Sequence, residues 1–102
     1  MLACCHAFYK DITVLNINTL ETIKVLKGHT EGVNHVLALP NERLATCSYD
    51  ETIRVWDVKS GEVLRVFTGH KDSVTHLSLL SNESLASGSN DKTIKIWNFN
   101  LL

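Results

Sequence analysis

Several features that would mark a nucleic-acid-binding or membrane protein are missing from this sequence. Lys and Arg number ten against eleven Asp and Glu, so the formal net charge is −1. A chain without a basic excess provides no positive field for nucleic acid, and it has no acidic tail for basic partners. No apolar run approaches the roughly 20 residues that cross a bilayer. We therefore expect neither a nucleic-acid partner nor a membrane partner.

Cysteine is also scarce. The three residues are Cys4, Cys5 and Cys47. An odd number with two adjacent members does not suit a disulfide framework, which favours a reducing compartment. The first residues have no positive segment and no sustained apolar stretch, so no secretory signal is expected. The sequence predicts an intracellular protein, in the cytoplasm first, with the nucleus as the alternative.

What the sequence does contain is an internal repeat. Residues 22–59 laid over residues 63–100, an offset of 41, give 15 identities in 38 positions without a gap. Hydrophobic residues make up 44% and charged residues 21% of the 102 residues, a balance typical of a globular chain. A repeat of this period predicts an architecture built from similar units packed side by side.

The short-range pattern within each repeat is that of strands and turns. Residues 52–56 and 93–97 alternate polar and apolar side chains, which is typical of a strand with one buried face. Turn-forming residues separate these segments, and no segment carries a helical apolar stripe. The predicted strands are 22–26, 33–39, 43–47, 53–57, 63–67, 74–80, 84–88 and 94–98.

Two dipeptides recur in phase with the strands. Gly28-His29 returns as Gly69-His70, and Trp56-Asp57 returns as Trp97-Asn98. With four strands per repeat of about 40–45 residues, the chain resembles the WD-repeat β-propeller family over residues 22–98. The resemblance implies an all-β fold, a partial WD-repeat β-propeller of about two and a half four-stranded antiparallel blades.

The same resemblance implies the organisation of the chain. Residues 1–21 are interpreted as a degenerate partial blade, and 22–59 and 63–100 as WD repeats in one continuous propeller segment. Residues 2–5 are expected to match Leu44–Cys47, with one extra residue in the turn that follows. The incomplete ring has two explanations, a piece of a longer propeller or copies that complete one another, and we favour the first.

Each repeat is expected to hold a hydrogen-bonded tetrad of indole, hydroxyl, imidazole and carboxylate. The resemblance assigns a structural role to eight residues: His29, Thr46, Asp50, Trp56, His70, Ser87, Asp91 and Trp97. A hydrolase could use the same residue types, but geometry rather than type decides that, and no G-x-S-x-G motif is present. We expect no catalytic residues and no cofactor.

A metal site is the other alternative that the residue types suggest. The possible ligands are Cys4, Cys5, His6, His29, His35, His70 and His76. Adjacent cysteines on a strand point to opposite faces, whereas zinc sites use cysteines spaced so that both thiolates reach one ion. We therefore predict no metal. His35 and His76 occupy equivalent positions and are expected side by side.

The function that the resemblance implies is non-catalytic protein–protein interaction, as a scaffold or adaptor. The alternative is a substrate-recognition or regulatory segment of an enzyme complex such as a ubiquitin ligase. Expected partners are other proteins or peptides, with self-association as a further way to complete the propeller. Candidate binding residues lie in the loops around each tetrad: Tyr49, Asn90, Thr30, Glu31, Lys71 and Asp72. Gly32 and Ser73 are expected on the same surface.

Overall fold

Ten β-strands account for the regular structure of the chain. The computed structural model describes residues 4–16 and 18–100. The strands are β1 (Cys4–Phe8), β2 (Asp11–Leu15), β3 (Thr22–Leu26), β4 (Val33–Leu39), β5 (Arg43–Ser48), β6 (Ile53–Asp57), β7 (Val63–Phe67), β8 (Val74–Leu79), β9 (Ser84–Ser89) and β10 (Ile94–Asn98). Within these described ranges, no helix is long and apolar enough to cross a membrane.

The strands form three antiparallel sheets in chain order. The first sheet holds β1, β2 and β3, the central sheet holds β4 to β7, and the last sheet holds β8, β9 and β10. Each strand pairs with the strand next to it in sequence, as short turns between alternating segments favour. The all-β class and the partial propeller are thereby confirmed.

The prediction for the register of β1 is wrong. Cys4 pairs with Leu15 as Leu44 pairs with Trp56 in the central sheet. Because Leu15 lies 41 residues before Trp56, Cys4 is the equivalent of Leu44. The repeat pattern predicts Leu2 at that place, and Leu2 lies outside the described residues.

A short turn explains this shift in register. The segment between the paired residues Ala7 and Ile12 is one residue shorter than that between Cys47 and Ile53, where one extra residue was expected. Only two residues separate the last pair of β1 and β2. The first of them, Tyr9, has a φ of 57°, the left-handed conformation that two-residue hairpin turns need.

Two apolar layers hold the three sheets together. The layer between the first and central sheets consists of Ile12, Val14, Leu26, Leu44, Trp56 and Val58. The layer between the central and last sheets consists of Leu39, Ala45, Cys47, Ile53, Val55, Val74, Leu77, Leu85 and Phe99. Neighbouring residues Leu44 and Ala45 belong to different layers because side chains alternate across a strand. The central sheet is therefore covered on both faces.

Polar contacts between the inner strands β4 and β8 fix the central and last sheets together. The side-chain amide of Asn34 donates to the carbonyl of Val74 at 2.8 Å. The backbone N–H of Leu77 donates to Nδ1 of His35 at 3.0 Å. The rings of His35 and His76 stack with centroids 4.5 Å apart, side by side as their equivalent positions predict.

Candidate binding face and buried tetrads

The first tetrad is a continuous chain of hydrogen bonds across the central sheet. Trp56 Nε1–H donates to Oγ1 of Thr46 at 2.8 Å. That oxygen lies 2.7 Å from Nε2 of His29, whose Nδ1 lies 2.8 Å from Oδ2 of Asp50. An indole only donates and a carboxylate only accepts, so with a neutral imidazole the direction of the chain is fixed. Thr46 donates to Nε2, and His29 donates from Nδ1.

The second tetrad repeats this geometry in the last sheet. Trp97 Nε1–H donates to Oγ of Ser87 at 2.7 Å. The same oxygen lies 2.7 Å from Nε2 of His70, and Nδ1 of His70 lies 2.9 Å from Oδ2 of Asp91. The structure thus brings together all eight tetrad residues in two sets of four.

Each tetrad carboxylate also holds the loop beside it. Asp50 accepts from the backbone N–H of Thr30 at 3.0 Å and from the N–H and hydroxyl of Thr52. Burial would raise the pKa of Asp50, but hydrogen bonds from Thr52, His29 and Thr30 outweigh it and hold this pKa below its ordinary value. In the second repeat, the hydroxyl of Thr93 is the main cause that lowers the pKa of Asp91.

Burial disfavours the charged form of the His29 imidazole. It lowers the pKa of His29 below 6.5, against the opposing effect of Asp50. Neutral His29 accepts at Nε2, so the Thr46 hydroxyl both accepts and donates within the tetrad. Thr46 is 0% exposed and Ser87 is 1% exposed. Neither hydroxyl faces a space that a substrate could enter, and the arrangement suits cross-linking of strands rather than nucleophilic attack.

The glycine of each Gly-His pair leaves room for the tryptophan ring of its tetrad. A β-carbon at Gly28 would lie 2.9 Å from Cη2 of Trp56, closer than real side chains approach. At Gly69 the same carbon would lie 3.3 Å from Cη2 of Trp97. The indole of each tetrad therefore packs directly against the backbone that carries the tetrad histidine.

The loops around the tetrads form an exposed surface, called here the loop face. It comprises the six binding candidates, all of them exposed: Thr30, Glu31, Tyr49, Lys71, Asp72 and Asn90. Gly32 and Ser73 were expected there too, but both are buried. Their carbonyls accept from the backbone N–H groups of Tyr49 and Asn90, each at 3.0 Å, which draws them beneath the turns.

One exposed aromatic residue, Tyr9, is not among the binding residues that the repeat pattern predicts. Tyr9 is 63% exposed and lies next to Tyr49, since both rings approach Gly32. Its carbonyl accepts from the N–H of Val33 at 2.6 Å, which ties the first sheet to the central one. With the corrected register Tyr9 becomes the equivalent of Tyr49. An alignment of the first sheet in this register would have identified Tyr9 as a candidate binding residue.

Among the possible metal ligands, His29 and His70 are hydrogen-bonded within the tetrads, and His35 and His76 stack on each other. The side chains of Cys4, Cys5 and His6 lie outside the described part of the chain. In that part, no group of three or more His, Cys, Asp or Glu is placed to hold a metal ion. Cys47 is a buried free thiol, and burial raises its pKa to about 12.

Two segments of the chain match a known family. Residues 20–57 and 61–98 each match the family model described as WD domain, G-beta repeat. Together the two matches cover more than half of the chain. No curated protein matches the sequence.

Proposed function

Because the chain belongs to the WD-repeat family, we propose that it is a non-catalytic protein-interaction module that acts as a scaffold or adaptor. WD repeats are generally protein-interaction modules and are typically non-catalytic. Their sheets supply a rigid support, and the loops that the sheets carry are free to vary and to bind.

The occupied tetrads are the observation that supports this proposal most strongly. Every group that resembles a catalytic residue already has its hydrogen-bond partners inside the fold. The loop face, by contrast, exposes Tyr49 at 58% together with charged neighbours. An aromatic ring with a polar tip in such a setting is the kind of residue that contributes most at protein interfaces.

The proposed partners are proteins or peptides at the loop face. The last sheet offers a second surface, since Ile94 and Ile96 of β10 are 79% and 70% exposed. Exposed apolar faces of this kind mark association surfaces, and we include self-association through this sheet in the proposal. We also propose an intracellular location, in the cytoplasm first with the nucleus as the alternative, on the ground of the small and odd number of cysteines.

A substrate-recognition role in an enzyme complex such as a ubiquitin ligase would use the same loop face. The scaffold and recognition roles differ in what is bound together with the loop-face partner. The recognition role would be favoured if a catalytic subunit is recovered together with the partner and binds the chain at a site other than the loop face.

Capture with matched variants tests the proposal. The chain is used as bait in three forms: unchanged, Tyr49→Ala, and Leu80→Ala. Leu80 is 53% exposed and lies in the β8–β9 turn, at the opposite end of the strands from the loop face. We expect a bound protein that is lost with Tyr49→Ala and kept with Leu80→Ala. Equal capture by all three forms would contradict binding at the loop face.

The non-catalytic part of the proposal has its own test. Hydrolysis of ester and peptide substrates is compared between the unchanged chain and Ser87→Ala, with circular dichroism to follow the fold. We expect no rate above buffer in either form. A rate that disappears in a folded Ser87→Ala variant would show that the tetrad is catalytic.

A further inference from the structure

Two tyrosines and one carboxylate lie together where the first and central sheets meet at the loop face. A β-carbon placed on Gly32 would lie 3.3 Å from Cδ2 of Tyr49 and 3.7 Å from Cδ1 of Tyr9. Both rings therefore lie close to Gly32. The hydroxyl of Tyr9 lies 3.5 Å from Oε1 of Glu31. We call Tyr9, Glu31, Gly32 and Tyr49 the tyrosine shelf.

Backbone hydrogen bonds hold the tyrosine shelf in place. The carbonyl of Gly32 accepts from Tyr49 N–H, and the carbonyl of Tyr9 accepts from Val33 N–H. The hydroxyl of Ser48 donates to the carbonyl of Gly32 at 2.8 Å. Both rings nevertheless remain more than half exposed. Because the backbone is already fixed, a ligand that binds the exposed rings causes little further loss of backbone entropy.

The equivalent junction between the central and last sheets has only one of the two tyrosines, because Tyr49 stands there in the place of Tyr9. Ser73 replaces Gly32, and Asn90 replaces Tyr49. Asp72, the equivalent of Glu31, is turned to its own loop, where its carboxylate accepts from Ser73 N–H at 2.7 Å. The repeat pattern alone therefore does not explain the tyrosine shelf.

The chemistry of the tyrosine shelf fits a cationic, planar group. Aromatic faces attract cations, and a guanidinium both stacks on rings and pairs with a carboxylate. Within the described ranges, Glu31 forms no ion pair with Lys or Arg, so its charge is available to a ligand. We propose that the tyrosine shelf binds an arginine side chain of a partner protein. This inference rests on the proposed function, since it names what the loop face binds.

A titration with a small probe tests the inference separately from partner capture. The probe is the blocked peptide acetyl-Gly-Arg-Gly-amide, and its neutral counterpart carries citrulline in place of arginine. Binding is followed by the amide signals of Gly32 and Tyr49 in nuclear magnetic resonance spectra. We expect saturable shifts with the arginine peptide and at least roughly tenfold weaker binding of the citrulline peptide, as expected for a contact that depends on charge.

Variants at equivalent positions of the two junctions supply the controls. Glu31→Gln and Tyr49→Ala should each weaken binding of the arginine peptide by roughly three- to tenfold. Asp72→Asn and Asn90→Ala, the matched changes at the other junction, should leave binding unchanged. Gly32→Ser should also weaken binding, since the new β-carbon crowds the Tyr49 ring.

Three results would overturn the inference: equal binding of the citrulline peptide, equal losses in the two sets of variants, or no shift with the arginine peptide. A partner captured through Tyr49 in the presence of any of these results would leave the proposed function standing. It would show that the loop face binds proteins by another chemistry.

Discussion

The central and last sheets share their local geometry but differ in what covers them. The donor–acceptor distances of their tetrads agree within 0.1 Å. Yet Trp56 is fully buried, whereas Trp97 is only half-buried and stacks on Phe67 at 5.0 Å. The hydrogen-bond pattern is therefore a property of the repeat. Its burial depends on the surrounding strands, since Trp56 lies on β6, which pairs with β7, whereas Trp97 lies on β10 at the edge of its sheet.

The outer faces of the two sheets differ even more. Ile53 and Val55 of the central sheet are 0% exposed because the last sheet covers them. Their equivalents Ile94 and Ile96 are among the most exposed apolar residues of the described chain. Burial of an aliphatic side chain contributes about 1.5–3 kcal/mol. Equivalent residues should thus contribute very differently to stability.

The largest expected effect comes from the two tryptophans. Trp56→Ala should lower the free energy of unfolding by about 3–5 kcal/mol, because it empties a fully buried site. Trp97→Ala should cost less, since this side chain lies on an edge strand and is already partly exposed. Urea unfolding of both variants measures the difference. Equal losses would mean that the deeper burial of Trp56 adds nothing to stability.

The next effect concerns the aliphatic faces. Ile53→Ala should cost about 2–5 kcal/mol through the cavity it leaves. In the monomer, Ile94→Ala should change stability by no more than about 0.5 kcal/mol, as an exposed position does. The same unfolding curves report both values. A large loss for Ile94→Ala would show that this face is covered in solution, and light scattering would then identify an associated form.

A smaller effect is expected from the tetrad hydroxyls. Thr46→Val keeps the shape but leaves the Trp56 N–H without its acceptor, at a cost of about 1–3 kcal/mol. Thr46→Ser retains the hydroxyl and serves as the control. Ser87→Ala should cost less than Thr46→Val because water can reach the half-buried Trp97. The opposite order would contradict this account of burial.

The smallest effect is the dependence of stability on pH. The pKa of His29 is below 6.5 in the folded chain, so the unfolded chain binds the extra proton as the pH falls through 6.5. The pKa of Asp50 is below 3.8 in the folded chain, so the unfolded chain again binds the extra proton, here as the pH falls through 3.8. Stability should be full above 6.5 and decline toward acid pH. His29→Gln should flatten the upper part of this decline in pH-dependent unfolding curves, and an unchanged slope would argue against it.

Much of the fold was predictable because the repeat carries strong local signals. Alternating residues and turn residues gave every predicted strand to within one residue, as with β8, expected to end at residue 80 and observed to end at Leu79. The family resemblance gave the tetrad residues, whose hydrogen bonds follow from the need of buried polar groups for partners.

The parts that sequence alone did not predict lie where the repeat weakens. The first sheet has His6 and Lys10 at the positions of Thr46 and Asp50. No tetrad residue therefore marks its register, and the sequence does not reveal the short turn at Tyr9. The burial of Gly32 and Ser73 depends on backbone bonds to the following turn, which composition does not reveal. Tyr9 and Tyr49 both lie beside Gly32 only because two sheets pack together, an arrangement that no local pattern encodes.

Exchange of the two indole N–H protons with solvent tests the central claim most directly. The chain has two tryptophans, and their indole signals can be followed separately by nuclear magnetic resonance. We predict that both exchange more slowly than a free indole, because both donate to a tetrad hydroxyl, and that Trp56 exchanges more slowly than Trp97. Exchange of Trp56 at the free rate, or faster than Trp97, would contradict the account.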